Sequence, residues 1–341
     1  MDYGAELFYL FCPFANVLYL NSYQICMGNK SGGVKKMKPI VSVIIPTYGG
    51  DDAVIRAVQS VLNQEYDPFE VIVIDDNNPD SEARAQTEQY MDQFLSDHRV
   101  QYVKHEHNKN GSAARNTGFR HSTGEYICLL DDDDLFLPGK IQKQVDFLEG
   151  HLEFGACYCW RKQNNQLICG EYEGDLSEQL LDLSFTPTTG SLMIRRECYA
   201  ALNGFDETYY RHQDFEFLLR FFERFQIGVV REVLLEIVGN EVNNQPRGKK
   251  LYQIKKVYFK QFGKDIERIE KRNPGFKKRV YAEHFARTFK DMLRYGNWIL
   301  AARIYFEYGY KGGFQFWRVF FKCCFGGLQE RMERRLNNCR K

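Results

Sequence analysis

Carboxylates are the residues of this chain best spaced for chemistry. Leu129 and Leu130 run directly into four consecutive acids, Asp131, Asp132, Asp133 and Asp134. A second pair, Asp75–Asp76, closes another apolar run, and Asp214 stands alone ahead of Phe215–Glu216–Phe217. Four adjacent carboxylates repel one another and are tolerable only where they face water or where a cation neutralises them. Hard divalent cations take oxygen ligands and commonly share them with substrate phosphates. The spacing therefore admits metal-assisted handling of a phosphorylated ligand. A solvated acidic turn before a helix opened by Pro138, with Asp134 helping to cap it, is the alternative reading of the same residues.

These acids need elements to carry them. Val41–Ser42–Val43–Ile44–Ile45–Pro46 reads as a strand ended by proline, followed by a loop at Thr47–Tyr48–Gly49–Gly50. Asp51 to Gln64 places Ala53, Val54, Ala57, Val58, Val61 and Leu62 at helical spacing, with Asp51 or Asp52 as cap. Phe69 to Ile74 is a second buried strand, Ser81 to Leu95 a helix, and Val100 to Lys104 a third strand. A polar loop at Asn108–Asn110 then runs into a small-residue helix, and the strand at 125–131 delivers the four acids. Alternating strands and helices imply an α/β fold, a mostly parallel sheet with helices on both faces. In such sheets ligands bind beyond the carboxyl ends of the strands, where both acid groups fall. Neither Gly-x-Gly-x-x-Gly, a Walker-type loop nor a nucleophile elbow is present, which argues against dinucleotide dehydrogenases, P-loop enzymes and α/β-hydrolases.

The charge is close to balanced overall, at +1, but is unevenly placed. Residues 245–341 carry 25 Lys and Arg against 8 Asp and Glu, whereas the preceding 244 residues carry 21 against 37. An acidic body with a basic tail suggests that the tail meets an anionic surface or partner. The 10 cysteines show no Cys-x-x-Cys spacing, which favours a reduced, cytoplasmic chain. No run reaches the length of a spanning helix. Phe8 to Leu20 is apolar but interrupted by Pro13 and Asn16 and follows acids, which makes it a poor signal peptide. Because Met37–Lys38–Pro39–Ile40 leads straight into the first strand, residues 1–36 are expected to be an extension outside the fold.

Six motifs in order carry a family resemblance. They are Val43–Ile44–Ile45–Pro46–Thr47–Tyr48; the strand ending Asp75–Asp76; Asn110–Gly111 with Ala114–Arg115–Asn116 and Gly118; Leu130–Asp131–Asp132–Asp133–Asp134; Thr189–Gly190–Ser191 through Arg196 with Gly204–Phe205–Asp206–Glu207; and Gln213–Asp214–Phe215–Glu216 through Arg220. Together they resemble family 2 glycosyltransferases over about residues 38–240. The chain departs from the family's pattern at Gln213, where Glu is usual, and at Asn77–Asn78, where Gly–Ser is commoner.

The resemblance implies the GT-A fold in a catalytic domain over 37–244, followed by a basic helical region over 245–341. It implies an inverting, metal-dependent transfer from a nucleotide-diphospho-sugar, expected to be UDP-linked, to a hydroxyl of a saccharide or lipid-linked acceptor. Pro46, Thr47, Tyr48, Asp76 and Arg115 would bind the donor nucleotide, with Tyr48 stacked on the base and Asp76 accepting from a ring N–H. Asp131 would lie near the ribose, with Asp132 competing for that contact, and Asp133 would hold Mn²⁺ or Mg²⁺. Asp214 would be the general base, although it also suits the N-cap of a helix over Phe215–Phe225. Of the histidines near these motifs, His105, His107 and His212, only His212 stands out, as an acceptor-side contact beside Asp214.

In the tail, Ile227–Ile237 reads as a pair of short strands, and Lys249–Gly263, Phe276–Tyr295, Trp298–Tyr308 and Phe314–Leu336 as helices. The last sets Phe314, Trp317 and Phe321 among Arg318 and Lys322, the composition of a helix lying on an anionic membrane surface at residues 314–336. The tail could instead pack on the body. The competing functions are a sugar-nucleotide nucleotidyltransferase, for which residues 46–52 lack the expected basic residues, and a non-catalytic sugar- or nucleic-acid-binding protein. Acid clusters would repel phosphodiester backbones, so no nucleic-acid partner is expected.

Overall fold

Each of the first apolar runs forms a strand, and their register decides where the acids end up. The computed structural model describes residues 37–238 and 248–338; the expectation for residues 1–36 lies outside them. Strands β1 (Val41–Thr47), β2 (Phe69–Asp75), β3 (Val100–Lys104) and β4 (Tyr126–Leu129) are parallel in the order β3-β2-β1-β4. Thr47 pairs with Asp75, so β1 and β2 end level, while β4 ends at Leu129 opposite Ile44, three residues short of the end of β1, and the chain after it continues towards the same edge.

Period-2 alternation splits the strand side chains between two cores. Val43, Ile45, Val71 and Val73 face α1 (Ala53–Leu62) and α4 (Lys140–Gly150). Ile44, Ile72, Ile74 and Leu129 face the opposite layer, with α3 (Gly111–His121) and α7 (Gln213–Phe222). Helices therefore cover both faces, as the βα alternation predicts. Gly118 allows α3 its close approach: a Cβ there would stand 2.3 Å from Ile44 Cγ2.

Beyond β4 the sheet turns antiparallel through β8 (Leu192–Arg195), then β6 (Phe154–Gln163), with β9 (Gln226–Ile237) parallel to β6 and β5 (Leu135–Phe136) at the far edge. β7 (Gln166–Ile168) forms a hairpin with β6. Two expectations change here. Residues 227–237 form one strand instead of two: exposed Arg231 and Glu232 interrupt the apolar pattern and shift the register against β6, from Val230 opposite Cys159 to Val233 opposite Trp160, but the strand continues through this bulge. Pro138 does not open the helix that follows the acids: α4 begins at Lys140 after Gly139, whose φ of 79° supplies a left-handed step. Asp134 is buried and accepts from the Val238 N–H at 3.3 Å, so it is no cap for that helix.

After the sheet, α8 (Gly248–Gln261), α9 (Gly263–Arg272) and α10 (Phe276–Arg294) extend the α7-side core with Tyr258, Phe262, Ile269 and Phe276. α11 (Trp298–Ile304) and α12 (Tyr310–Asn338, kinked at Gly313) close a smaller core around Phe285, Ile304 and Phe316. No helix of the described residues is long and apolar enough to cross a membrane.

Candidate active site

The end of β1 supplies the first residues. Thr47 is buried, while the Tyr48 side chain is 64% exposed at the strand's tip. The Tyr48 N–H donates to Asp132 Oδ2 at 3.3 Å, a contact that the parallel register of β1 and β4 allows: with Leu129 opposite Ile44, Asp132 comes three residues further on, as Thr47 does. Asp132 is part-buried, and desolvation, reinforced by the flanking charges of Asp131 and Asp133, pushes its carboxyl up to about 6. Asp133 is exposed on the same turn.

Asp131 is held from the helical layer. Arg115 donates from Nη2 to Asp131 Oδ1 at 2.7 Å and from Nη1 to Gln213 Oε1 at 2.9 Å. The Thr189 hydroxyl lies 3.4 Å from Asp131 Oδ2. Arg115 itself is 8% exposed, with its guanidinium 5.5 Å from the Phe205 ring centroid. A planar fork can bridge two elements in this way where a lysine could not. Gly111 leaves room for it, since a Cβ there would sit 3.1 Å from Arg115 Nη1.

Gln213 in turn donates from Nε2 to the Tyr209 carbonyl at 2.9 Å, so both ends of its amide are used. A glutamate could accept from Arg115 but could not make that second bond. Asp214 follows as the second residue of α7. The residue that caps the helix is His212, in the left-handed region at φ 59° with no side-chain capping bond, so the capping role considered for Asp214 does not apply. Burial raises the Asp214 carboxyl above its ordinary range, with Arg115 pulling the other way and Asp131 adding to the rise. Asp131, Arg115, Gln213 and Asp214 thus form one connected group, 99 residues apart in sequence at its extremes.

Asp76 is 4% exposed and already engaged. Its Oδ1 lies 2.7 Å from His105 Nδ1 and accepts from the Lys109 N–H at 2.8 Å; its Oδ2 accepts from the Asn110 N–H at 2.9 Å and from Asn108 Nδ2 at 3.0 Å. The role expected of Asp76, accepting from a ring N–H, therefore meets a carboxylate that anchors the 105–110 loop. Asn77 and Asn78 serve the same wall: Asn77 Oδ1 accepts from the Gly49 N–H and Asn78 Oδ1 from the Asn108 N–H, both at 2.9 Å. A Gly–Ser pair could not make these amide contacts, which gives the departure at these positions a physical reason.

Several residues outside the expected set prove to position it. His105 was legible in principle: Asp75 pairs with Lys104, so the next residues, Asp76 and His105, must be neighbours. Arg84 is buried against Asp75, with Nε 2.9 Å from Oδ2, and also donates to the carbonyls of Asn77 and His105. Asn116 binds the Phe205 N–H and carbonyl, both at 2.9 Å, tying α3 to the Gly204–Glu207 segment.

Among the described residues, no three His, Cys, Asp or Glu side chains converge on a ready-made metal cage. A single exposed carboxylate beside a diphosphate still fits Mg²⁺ or Mn²⁺, which usually take one or two carboxylates and complete their shell with phosphate oxygens and water.

Residues 42–167 match the model of glycosyl transferase family 2. The amylovoran biosynthesis glycosyltransferase AmsB of Erwinia amylovora is 30% identical over 193 residues, which span 52% of this chain and 62% of that protein, short of two thirds of its length. The putative glycosyltransferase EpsE of Bacillus subtilis is 31% identical over 195 residues, 54% of this chain and 67% of that protein. In fold the chain is similar to S. aureus TarS 1-349, solved in complex with UDP, at a TM-score of 0.50 and 17% identity over 84% of this chain and 91% of that one. A GT-A-type sheet with its acids at one edge, and a Bacillus relative matched over two thirds of its length, make this chain a member of glycosyl transferase family 2.

Proposed function

We propose that the chain transfers a sugar from a nucleotide-diphospho-sugar, uridine-linked, to a hydroxyl of a saccharide or lipid-linked acceptor, with inversion, in cell-surface polysaccharide or glycolipid synthesis. The observation that carries the reading is the bridge from Asp131 through Arg115 to Gln213, which ties the acid cluster to the helix start that carries Asp214. A donor diphosphate against the cluster would turn its sugar towards Asp214. AmsB belongs by name to polysaccharide biosynthesis and the TarS structure holds UDP, which supports the choice of product class and of uridine.

In this reading Pro46, Thr47 and Tyr48 form the base-binding edge, with the exposed Tyr48 ring stacking on the base. Asp76 shapes the wall of that pocket through the 105–110 loop and shares an oxygen with the base N–H. Asp132 is the better candidate than Asp131 for the ribose hydroxyls, because Asp131 is committed to Arg115. Asp133 holds Mn²⁺ or Mg²⁺, which when bound offsets charge on the departing diphosphate. Asp214 takes the acceptor hydroxyl's proton as that oxygen attacks the anomeric carbon from the face opposite the diphosphate; the anomeric C–O bond breaks and the nucleoside diphosphate leaves with the electron pair. A carboxyl raised by burial is a stronger base than an ordinary one and suits this task.

Residues 37–244 act as the catalytic domain and the basic region 245–341 places it. A cytoplasmic-face membrane location with helix 314–336 on anionic lipid accords with Phe314 being 84% and Phe321 50% exposed. The deciding experiment is release of nucleoside diphosphate from UDP-, GDP- and TDP-sugars by the full chain, with and without Mn²⁺ or Mg²⁺. Release from a UDP-sugar that stops on chelation is expected; no metal-dependent release from any donor would overturn the proposal.

A further inference from the structure

α11, the π-helical turn at Tyr305–Gly309 and the first residues of α12 form one helical arm, 298–312, which ends where Gly313 leaves helical geometry at φ 55°. The chain folds back there. Tyr305 touches Phe316 at 5.6 Å and Trp317 at 5.4 Å, whereas eleven residues of straight helix would set them about 16 Å apart. Both arms of the bend rest on α10. Phe285 stacks on Tyr308 at 4.0 Å, and Phe289 meets Tyr305 at 6.2 Å on one arm and Phe316 at 5.5 Å on the other. Ala301 and Ile304 join them in the small core.

The opposite face of the 298–312 arm has no cover among the described residues. Trp298, Ile299, Ala302, Phe306 and Tyr310 are exposed, Ile299 at 89% and Phe306 at 76%. Trp298, Ala302, Phe306 and Tyr310 recur every four residues, so they share one side of the helix. Ring contacts join this side to α12: Phe306 meets Tyr305 at 5.5 Å, Tyr305 meets Trp317 at 5.4 Å, and Trp317 meets Phe321 at 6.2 Å. A soluble monomer rarely leaves so extended an apolar surface without a partner.

The charges on this surface are of one sign. Over residues 294–325 the exposed charged side chains are Arg294, Arg303, Lys311, Arg318 and Lys322, all cations. Glu307 is the one acid of that span; it is half-buried, accepts from the Tyr252 hydroxyl at 2.8 Å and pairs with Arg303 at 3.5 Å. A second copy seated here would set these cations against their own images, because a two-fold interface mates a surface with itself. A bilayer with anionic headgroups suits both the rings and the cations.

We infer that the outer face of the 298–312 arm is a membrane-contact element in its own right, seated together with α12 on an anionic bilayer as one bent surface. The inference rests on the reading that the tail meets lipid, which α12 alone would also satisfy. A single helix lying on a bilayer can roll about its axis. Two arms joined at a bend cannot, so the contact would hold the catalytic domain in one orientation to the membrane.

The test is flotation of the full chain with phosphatidylglycerol-containing vesicles, wild type against Trp298→Ser/Ile299→Ser/Phe306→Ser. The three side chains are exposed, so the variant should fold, and its melting temperature checks this. Its vesicle affinity is expected to fall by roughly tenfold to a hundredfold. Equal flotation of the two proteins would overturn the inference, and a loss confined to Phe314→Ser/Trp317→Ser/Phe321→Ser would leave α12 as the sole contact. A wild-type chain that does not float would overturn both. Self-association abolished by the 298–306 variant, with flotation unchanged, would assign the face to a second copy instead. Tryptophan fluorescence gives a second measurement, since Trp160, the third tryptophan, is part-buried in β6. Vesicles containing brominated phosphatidylcholine should quench Trp317→Phe and lose that quenching in Trp298→Phe/Trp317→Phe; equal quenching of the two would overturn the inference.

Discussion

Arg115 and Asp131 are joined at 2.7 Å by a guanidinium that reaches Gln213 with its other nitrogen, so one side chain fixes the acid cluster relative to the helix that carries Asp214. Asp131 is 40% exposed in this pair and Arg115 10%, which makes the arginine the buried anchor. Replacing it by lysine keeps the charge and loses the fork. Arg115→Lys is expected to lower kcat/KM for transfer by about 10- to 100-fold, corresponding to about 1.5–3 kcal/mol for a charge-assisted bond. Steady-state kinetics on both substrates checks this, with melting temperature as a control for folding.

Asp214→Asn retains the shape of the side chain and removes the base. Transfer is expected to fall by about 10²- to 10⁴-fold while donor affinity stays within about twofold. The raised carboxyl also gives a pH signature. The base must be ionised, so wild-type kcat should rise with pH through a range above the ordinary carboxylate value of about 4 and then level off. A kcat that is flat across this range, or a variant retaining more than a few per cent of the rate, would remove Asp214 from the role.

Asp132 gives a stability prediction of opposite sense to that of a salt-bridged acid. Its folded value is raised to about 6, so the protonated form is favoured by folding. That contribution is fully present below the unfolded value of about 4 and is lost as pH rises through about 6. Asp132→Asn should therefore stabilise the chain at pH 7 by on the order of 1–3 kcal/mol, discounted for partial exposure, and the gain should vanish near pH 4. Thermal unfolding of both proteins across pH 4 to 7.5 measures it.

Much of the candidate site could be read from sequence because strands announce themselves and their acids end them. β1, β2 and β3 are short apolar runs, the last two stopped by Asp75–Asp76 and by a polar loop, and each appears where the pattern puts it, except that β1 runs through Pro46, paired with Ile74, to Thr47 instead of ending at the proline. What could not be read depends on contacts between distant segments. Nothing near Asp76 in sequence says that His105 and three loop donors will occupy its oxygens; only the β2–β3 register does. β6 and β8 are sheet strands whose pairing is antiparallel, and their mixed residues, such as Cys157–Tyr158–Cys159–Trp160, carry no clean period. The α9 helix at Gly263–Arg272 was hidden by its high charge, although Ile266 and Ile269 give it a buried edge.

The buried group around Asp75 supplies a test of fold stability separate from catalysis. Asp75 is fully buried, and its partners are Arg84, the Tyr102 hydroxyl and Asn77. Arg84→Met would leave a carboxylate buried without its cation, which typically costs about 3–5 kcal/mol. Urea unfolding should show that loss, with the midpoint shifted and the slope unchanged. A double variant, Arg84→Met/Asp75→Asn, should recover part of it, since the uncompensated charge is then gone.

The last prediction concerns the aromatic stripe of α12. Phe314, Trp317, Phe321 and Phe325 recur at spacings of three and four, so they share one face, and all are exposed. Trp317 contacts Phe321 at 6.2 Å and Phe321 contacts Phe325 at 6.2 Å, which makes the strip continuous. Phe316 and Val319 point into the small core, and exposed Arg318 and Lys322 flank the strip on its other side. Rings beside cations match a bilayer interface bearing anionic headgroups. The triple variant Phe314→Ser/Trp317→Ser/Phe321→Ser should weaken binding to phosphatidylglycerol-containing vesicles by about 3 kcal/mol, roughly a hundredfold, if each ring is half immersed. Flotation of the wild-type and variant chains measures this, and raising the salt should weaken the wild-type interaction further through its cationic part. Equal flotation of the two proteins would leave the stripe without a membrane role.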